Sequence, residues 1–224
     1  MLIKGMKVKR TKEEQYNGLF DYPETKLGVM INQVWQDDPK RVVFVLSRYK
    51  FVAKMLAGKD NVLEVGCADA FGSHLVADAV KYLTVTDFDP IFINSVKSNA
   101  RYVWQKNAQV HDILKGPTKV KYDAVYCLDV FEHIAPEHED LILTNLQQSL
   151  VDDGIAIIGI PSLESQVFAS PQSKEGHVNC LSGETFKGLL EEHFTHVFLF
   201  SMNDEVVHTG FYPMAHYLFA LCIK

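Results

Sequence analysis

The sequence is poor in the features that mark secreted, membrane-bound or nucleic-acid-binding chains. Only four cysteines, Cys67, Cys127, Cys180 and Cys222, occur in 224 residues. They stand far apart, lack metal-ligand spacing and fall in part at the ends of apolar runs, so reduced packing thiols are expected and a disulfide framework is not. No metal is expected. No uncharged run is long enough to span a bilayer, and the opening Met1-Leu2-Ile3-Lys4-Gly5-Met6-Lys7 lacks the apolar centre of a signal peptide, which leads us to expect a soluble, cytoplasmic protein with no membrane partner. Positive charge is scarce as well. The net charge is −6 at pH 7 and the one basic run is Lys7-Val8-Lys9-Arg10, which argues against a phosphate-backbone substrate and hence against nucleic acid. Repeats and low-complexity tracts are also lacking.

What is present fits one well-buried core: 47% of the residues are hydrophobic, and a chain of this length is the natural size of one α/β domain. After Asp37-Asp38, Pro39 opens a helix with an apolar stripe through Val42, Val45, Tyr49, Val52 and Leu56, closed by Gly58. Strands are expected near 61–65, 82–87, 108–112, 122–128 and 154–160, with helices near 72–80, 90–100 and 137–150. Short apolar strands separated by helices mean parallel crossover units. Past Pro161 come a long loop, a helix near 183–192, and apolar runs at 197–200 and 217–223 joined by a polar loop, which reads as an antiparallel pair.

The most informative stretch is Val62-Leu63-Glu64-Val65-Gly66-Cys67-Ala68-Asp69-Ala70-Phe71-Gly72, an apolar strand carrying a carboxylate into a small-residue turn. The next run, Tyr82-Leu83-Thr84-Val85-Thr86-Asp87, ends in another acid. In a doubly wound sheet this arrangement holds an adenosine, with the second acid, Asp87, on the ribose hydroxyls. Charge narrows the ligand. A dinucleotide site needs Gly where the backbone nears the pyrophosphate and a neutral or positive turn. Here Ala68 and Ala70 occupy the close-approach positions beside Glu64 and Asp69. Such a turn repels a diphosphate and suits a ligand that has no phosphate but carries an ammonium and a sulfonium, S-adenosyl-L-methionine.

On these residues, and on Val85-Thr86-Asp87-Phe88-Asp89-Pro90, Val110-His111-Asp112, Cys127-Leu128-Asp129-Val130-Phe131-Glu132-His133 and Leu150-Val151-Asp152-Asp153-Gly154, the chain resembles the class I S-adenosylmethionine-dependent methyltransferases from about Asn61 to Pro161. The resemblance implies a doubly wound, mostly parallel seven-stranded sheet with helices on both faces and a C-terminal antiparallel pair. The family's turn usually reads Gly-x-Gly-x-Gly. Ala68 and Ala70 depart from it, without strain if their φ is negative and with strain if it is positive. The resemblance also implies a division into an N-terminal helical cap (1–58), a cofactor-binding half (59–160) and an acceptor-side half (161–224).

Site residues follow from the same placement. Gly66, Cys67 and Ala68 form the turn, and the resemblance implies that Glu64 organises it and the methionine end of the cofactor. Asp112 accepts the adenine amino proton at the end of the third strand beside His111, while Phe88 and Ile113 sandwich the ring. Leu128 and Asp129 cover the methionine end from the fourth strand. Trp35 and Tyr22, upstream, are candidates for a cation–π contact with the sulfonium. Methyl transfer asks the protein to position an acceptor and, for a hydroxyl, to remove its proton. His133 is the expected base, since imidazole titrates near neutral pH. The aperiodic loop 161–181, with His177 and Asn179, and the polar loop 201–213, with Asn203, Asp204, His208 and Tyr212, are expected to line the acceptor site together. The expected activity is methylation of a small molecule at a hydroxyl or carboxylate oxygen, with N-methylation and cofactor binding without turnover as the alternatives, and with a homodimer as a possible assembly.

Overall fold

The computed structural model describes residues 12–21, 25–98 and 107–224. Tyr22, the basic run at 7–10 and the end of the helix expected over 90–100 lie outside these residues. The chain runs α1 (Val29–Asp37), α2 (Lys40–Met55), β1 (Asn61–Val65), α3 (Ser73–Ala79), β2 (Tyr82–Asp87), α4 (Pro90–Ser98), β3 (Ala108–Val110), β4 (Tyr122–Leu128), α5 (Glu139–Gln148), β5 (Leu150–Pro161), α6 (Pro171–Gly176), α7 (Gly183–Glu191), β6 (His196–Asn203), β7 (Val206–His208) and β8 (Tyr217–Ile223). Among the described residues no helix is long and apolar enough to cross a membrane.

The strands form one eight-stranded sheet in the order β3-β2-β1-β4-β5-β8-β6-β7. β1 to β5 are mutually parallel, while β8, β6 and β7 pair antiparallel. The α/β class and the antiparallel end are as the sequence implies. One strand more than expected is present, because the polar loop folds on itself: Asn203 pairs with Val206 across Asp204-Glu205, and Asp204 takes a left-handed φ of 47°. Asp tolerates that region well enough to make a tight two-residue hairpin.

Strand periodicity divides the core in two. Along β4, Ala124, Tyr126 and Leu128 face α2, α3 and α4, whereas Val125 and Cys127 face α5 and α7. Ile142, Leu143 and Leu146 of α5 and Phe186 and Leu190 of α7 supply the helical side of the second layer at one-turn spacing. The expected loop 161–181 is also partly helical. Ser170 caps α6 by accepting from the Ser173 N–H, with Pro171 at the first position, a start signal that the absence of apolar periodicity masks. Cys67, Cys127 and Cys222 are buried free thiols and Cys180 is half-buried, in line with the packing role.

Candidate functional site

The order β3-β2-β1-β4-β5 reverses direction between β1 and β4, and in open parallel sheets ligands sit at the carboxyl ends of the strands at such a switch point. Onto that edge the chain brings the turn after β1, the ends of β2 and β3, and the segment after β4. A polar depression lined by Gly58, Asp60, Asp123 and Asp152 lies at the opposite end of the strands, where this fold places no ligand.

The turn spends its own amides. Gly66 and Cys67 both donate to the Thr86 carbonyl (2.8 and 2.9 Å), and Ala70 donates to the Cys67 carbonyl (2.7 Å). Ala68 donates to Asp87 Oδ2 (3.0 Å) and Phe71 to Asp69 Oδ1 (3.2 Å). A diphosphate needs those N–H groups free, so this turn is not a phosphate cradle. Its backbone is left-handed at Gly66 (φ 77°), Ala68 (46°) and Ala70 (55°). The family's glycines are therefore missing where φ is positive, and each alanine carries strain of about 1–2 kcal/mol. At Gly66 a Cβ would run into Val130 Cγ2, so the turn and the segment after β4 touch at this glycine.

Glu64 shares the face of Val62, beneath α2, and is 1% exposed. The Tyr49 hydroxyl donates to Oε1 (2.8 Å), while Oε2 has no partner among the described residues. The hydroxyls of Ser73 and Tyr126 stand near the carboxyl without completing bonds to it. Burial pushes Glu64 up to about 7, against the opposing pull of Ser73, Tyr49 and Tyr126. Tyr49 reaches it because residue 72 is glycine: a Cβ there would strike the Tyr49 ring. A neighbour absent from the sequence candidates, Arg48 of α2, places one nitrogen 2.7 Å from both oxygens of Asp129 and lies 3.9 Å over the Tyr217 ring. Burial works against its charge, yet Asp129, followed by Tyr217 and Glu132, outweighs that and raises the guanidinium further. Its Nε is buried and unpartnered among the described residues.

On the β2 and β3 side, Asp87 is buried and grips the turn, accepting from Ala68 and, through Oδ1, from the Asp89 N–H (2.9 Å). Phe88 is 72% exposed, and Ile113 is buried. Asp112 caps a short helical turn by accepting from the Leu114 N–H (3.1 Å) and pairs with Lys115 (3.3 Å). His111 hydrogen-bonds through its backbone to Asp87, and its Nε2 is buried without a partner among the described residues. Leu128 is buried at the end of β4, and Asp129 follows in a left-handed conformation (φ 55°). Upstream, the Ile31 N–H donates to Asp69 Oδ2 (2.9 Å), fastening α1 to the turn. Trp35, on the same helix, is 50% exposed.

The sequence-derived acceptor residues separate into two groups. His177 lies edge-on to His133, with ring centroids 5.2 Å apart. Asn179 is buried and donates from its backbone to the Glu132 carbonyl (3.1 Å) and from its side chain to Glu139 (2.7 Å). Asn203 and His208 instead bond to each other (2.8 Å) on the outer hairpin. β7 is four strands from β4, about 19 Å along the sheet at the usual strand spacing. Tyr212 packs its ring on Gly183 at the start of α7, and His216 nearby is held down by burial and by Arg48. Glu132, which the sequence reading passed over, is buried beside the first of these groups. Burial, then the charge of Asp129, pushes its carboxyl well above the usual range.

A family model described as a methyltransferase domain matches residues 63–156, from β1 into β5. Over this stretch the chain matches a methyltransferase domain. Its fold is similar to that of the N-methyltransferase NodS from Bradyrhizobium japonicum WM9 in complex with S-adenosyl-L-homocysteine, at 19% identity and a TM-score of 0.60, covering 95% of this chain and 99% of that one. It is also similar to a TehB-like SAM-dependent methyltransferase from Corynebacterium glutamicum (18%, TM-score 0.62, 86% and 95% covered). A third likeness is to a putative O-methyltransferase from Nostoc punctiforme (11%, TM-score 0.61, 89% and 63% covered). No curated protein matches by sequence.

The donor set of this site fits S-adenosyl-L-methionine. The acids Glu64, Asp69, Asp87 and Asp129 surround a turn whose amides at Gly66, Cys67, Ala68, Ala70 and Phe71 are already bonded, which suits an ammonium and a sulfonium better than phosphate. Arg48 has one buried N–H without a partner among the described residues, a group that could meet the carboxylate of the methionine moiety. Arg48 left a faint signal in the sequence, a cation on the predicted helix one residue before Tyr49. Which crevice group it meets depends on the angle at which α2 crosses the sheet, and periodicity carries no such information.

Proposed function

We propose that this methyltransferase acts on a small molecule at a hydroxyl or carboxylate oxygen, with His133 taking the proton of a hydroxyl acceptor. One observation carries the reading: His133 Nδ1 lies 2.8 Å from the Gly176 carbonyl. A carbonyl only accepts, so the proton sits on Nδ1 and the neutral ring offers the lone pair of Nε2, the form a base requires. The ring is exposed at the end of the segment that follows β4. The cofactor supplies a methyl group already activated for displacement, and the chain's task is to aim the acceptor at it and take the proton. Arg48 holds the carboxylate end of the cofactor, and Asp87 holds the ribose.

Exposed Leu163, Val167 and Phe168 after β5, with Phe211 and Met214 before β8, favour an acceptor with an apolar body over a bare sugar or a small acid. The test is transfer of a labelled methyl group to a panel of hydroxylated, carboxylated and amino acceptors with and without apolar substituents, with the product atom assigned by mass spectrometry. Exclusive labelling of amines overturns the oxygen reading.

A further inference from the structure

Glu132, His133 and His177 each bring one ligand-capable atom to within 4.8 Å of the others. The two stretches that carry them are tied through one carbonyl: the Val178 and Asn179 N–H groups both donate to Glu132 O (2.9 and 3.1 Å). Each imidazole has its Nδ1 committed. That of His133 faces the Gly176 carbonyl (2.8 Å), and that of His177 faces Gln166 Oε1 (2.9 Å). The Gln166 amide is oriented by its nitrogen, which donates to the Ser162 carbonyl (3.1 Å). Both rings therefore carry the proton on Nδ1 and a lone pair on Nε2, the arrangement by which outer oxygen acceptors prepare histidines as metal ligands. Glu132 Oε2 is buried and has no hydrogen-bond partner among the described residues, and the residue is 1% exposed. A buried carboxyl oxygen without a partner is costly, and a cation shared with the two imidazoles would satisfy it.

We propose that Glu132, His133 and His177 bind a divalent transition-metal cation of the zinc or cobalt type. Two imidazoles and one carboxylate match the preference of such ions, and bonds of roughly 2.0–2.2 Å close the shell after small side-chain rotations. Gly176 helps by leaving room for the His133 ring, since a Cβ there would come within 3.3 Å of it. Three protein ligands leave coordination positions open, as in sites that bind and activate a small oxygen ligand. The cation site stands on the geometry alone. Its use, to take the acceptor oxygen and lower its pKa so that the proton passes to solvent water when the cation occupies the His133 lone pair that otherwise serves as base, rests on the oxygen-acceptor reading above.

The experiment is a titration of the full chain, stripped with a chelator and desalted, with Co2+ followed by its visible absorption and with Zn2+ by calorimetry. S-adenosyl-L-homocysteine binding is measured on every variant as the check of folding. One cation per chain is expected, weakened about a hundredfold or more by His133→Ala and by His177→Ala, and about 10–100-fold by Gln166→Ala, which touches only an outer partner. A wild type that binds S-adenosyl-L-homocysteine but neither cation overturns the site, as does binding that both histidine variants retain. Oxygen methylation by stripped protein together with absence of cation binding removes the site and leaves the proposed function. Cation binding at the cluster without methylation of any oxygen acceptor does the reverse.

Discussion

On the β1–β3 side of the crevice the working groups come from two short stretches, 64–70 and 87–89, and act through backbone conformation and strand-end carboxylates. On the β4–β5 side, Glu132 and His133 meet His177 from a separate segment, and what matters is how side chains converge. The first half stores strain at Ala68 and Ala70 and spends its amides internally. The second half leaves Glu132 Oε2 without a donor among the described residues and commits both imidazoles through Nδ1. On the proposed reading the first half holds a nucleoside in a preset frame and the second activates an acceptor at one atom, so substitutions in the two halves should separate binding from turnover.

The largest effect expected belongs to the acceptor half. His133→Ala should lower turnover by ~10²–10⁴-fold while changing S-adenosyl-L-homocysteine affinity little, since its contacts are to Gly176 and His177. Steady-state rates and calorimetry on the same preparation measure both quantities. Equal losses in turnover and cofactor affinity would erase the division between the halves.

Glu64 tests the cofactor half through pH. Its folded value of about 7 stands above the ordinary 4.5, so the folded protein holds a proton there that the unfolded chain has released. The resulting cost is absent below pH 4.5, grows between 4.5 and 7, and is full above 7. Glu64→Gln should therefore be more stable than wild type at pH 8, by about 3 kcal/mol at most, and the gain should vanish at pH 4. Chemical denaturation at the two pH values decides it. A wild-type stability that does not fall across this window would mean that Ser73 and Tyr126 complete bonds to the charged form.

Asp87→Ala comes next. Loss of a carboxylate that faces the crevice should weaken S-adenosyl-L-methionine binding by roughly 1.5–3 kcal/mol. The same oxygens anchor Ala68 and Asp89, so Asp87→Asn, which keeps an acceptor, should recover part of the affinity. Unchanged affinity in a folded Asp87→Ala protein removes this residue from the site, and NADH should bind neither variant nor wild type.

The sequence made the cofactor half legible because strand ends and turns are local. Glu64, Gly66 and Asp87 were placed by a run of apolar residues, a small-residue turn and a second run. The charge argument against phosphate gains a structural companion, since most of the turn's amides are already bonded. The acceptor half was only partly legible. His133 and His177 were singled out separately, but their juxtaposition depends on α6, whose six residues carry no apolar period, and on Asn179 reaching back to Glu132. Asn203 and His208 were grouped with them because a polar loop between strands has no visible fold of its own, and it closes instead into a hairpin at the sheet's outer edge. Arg48 and Glu132 were missed because each derives its meaning from a partner on another element.

The smallest effect expected concerns the two strained alanines, which the family pattern would fill with glycine. Glycine adopts positive φ freely, so either substitution relieves about 1–2 kcal/mol of backbone strain. Against this, a glycine makes the unfolded chain more flexible, at a cost of about 0.4–1 kcal/mol. At half-buried Ala68 nothing further is lost, and Ala68→Gly should gain about 0.5–1 kcal/mol. Ala70 is 3% exposed and its methyl packs in the core beneath α2. Deleting that methyl costs about 0.8 kcal/mol more, so Ala70→Gly should leave stability near its starting value. The comparison is made by chemical denaturation of the two variants under one condition. If Ala68→Gly destabilises as much as Ala70→Gly or more, the strain is not resident at the turn, and the preset frame attributed to this half of the crevice must come from Asp87 and Thr86 alone.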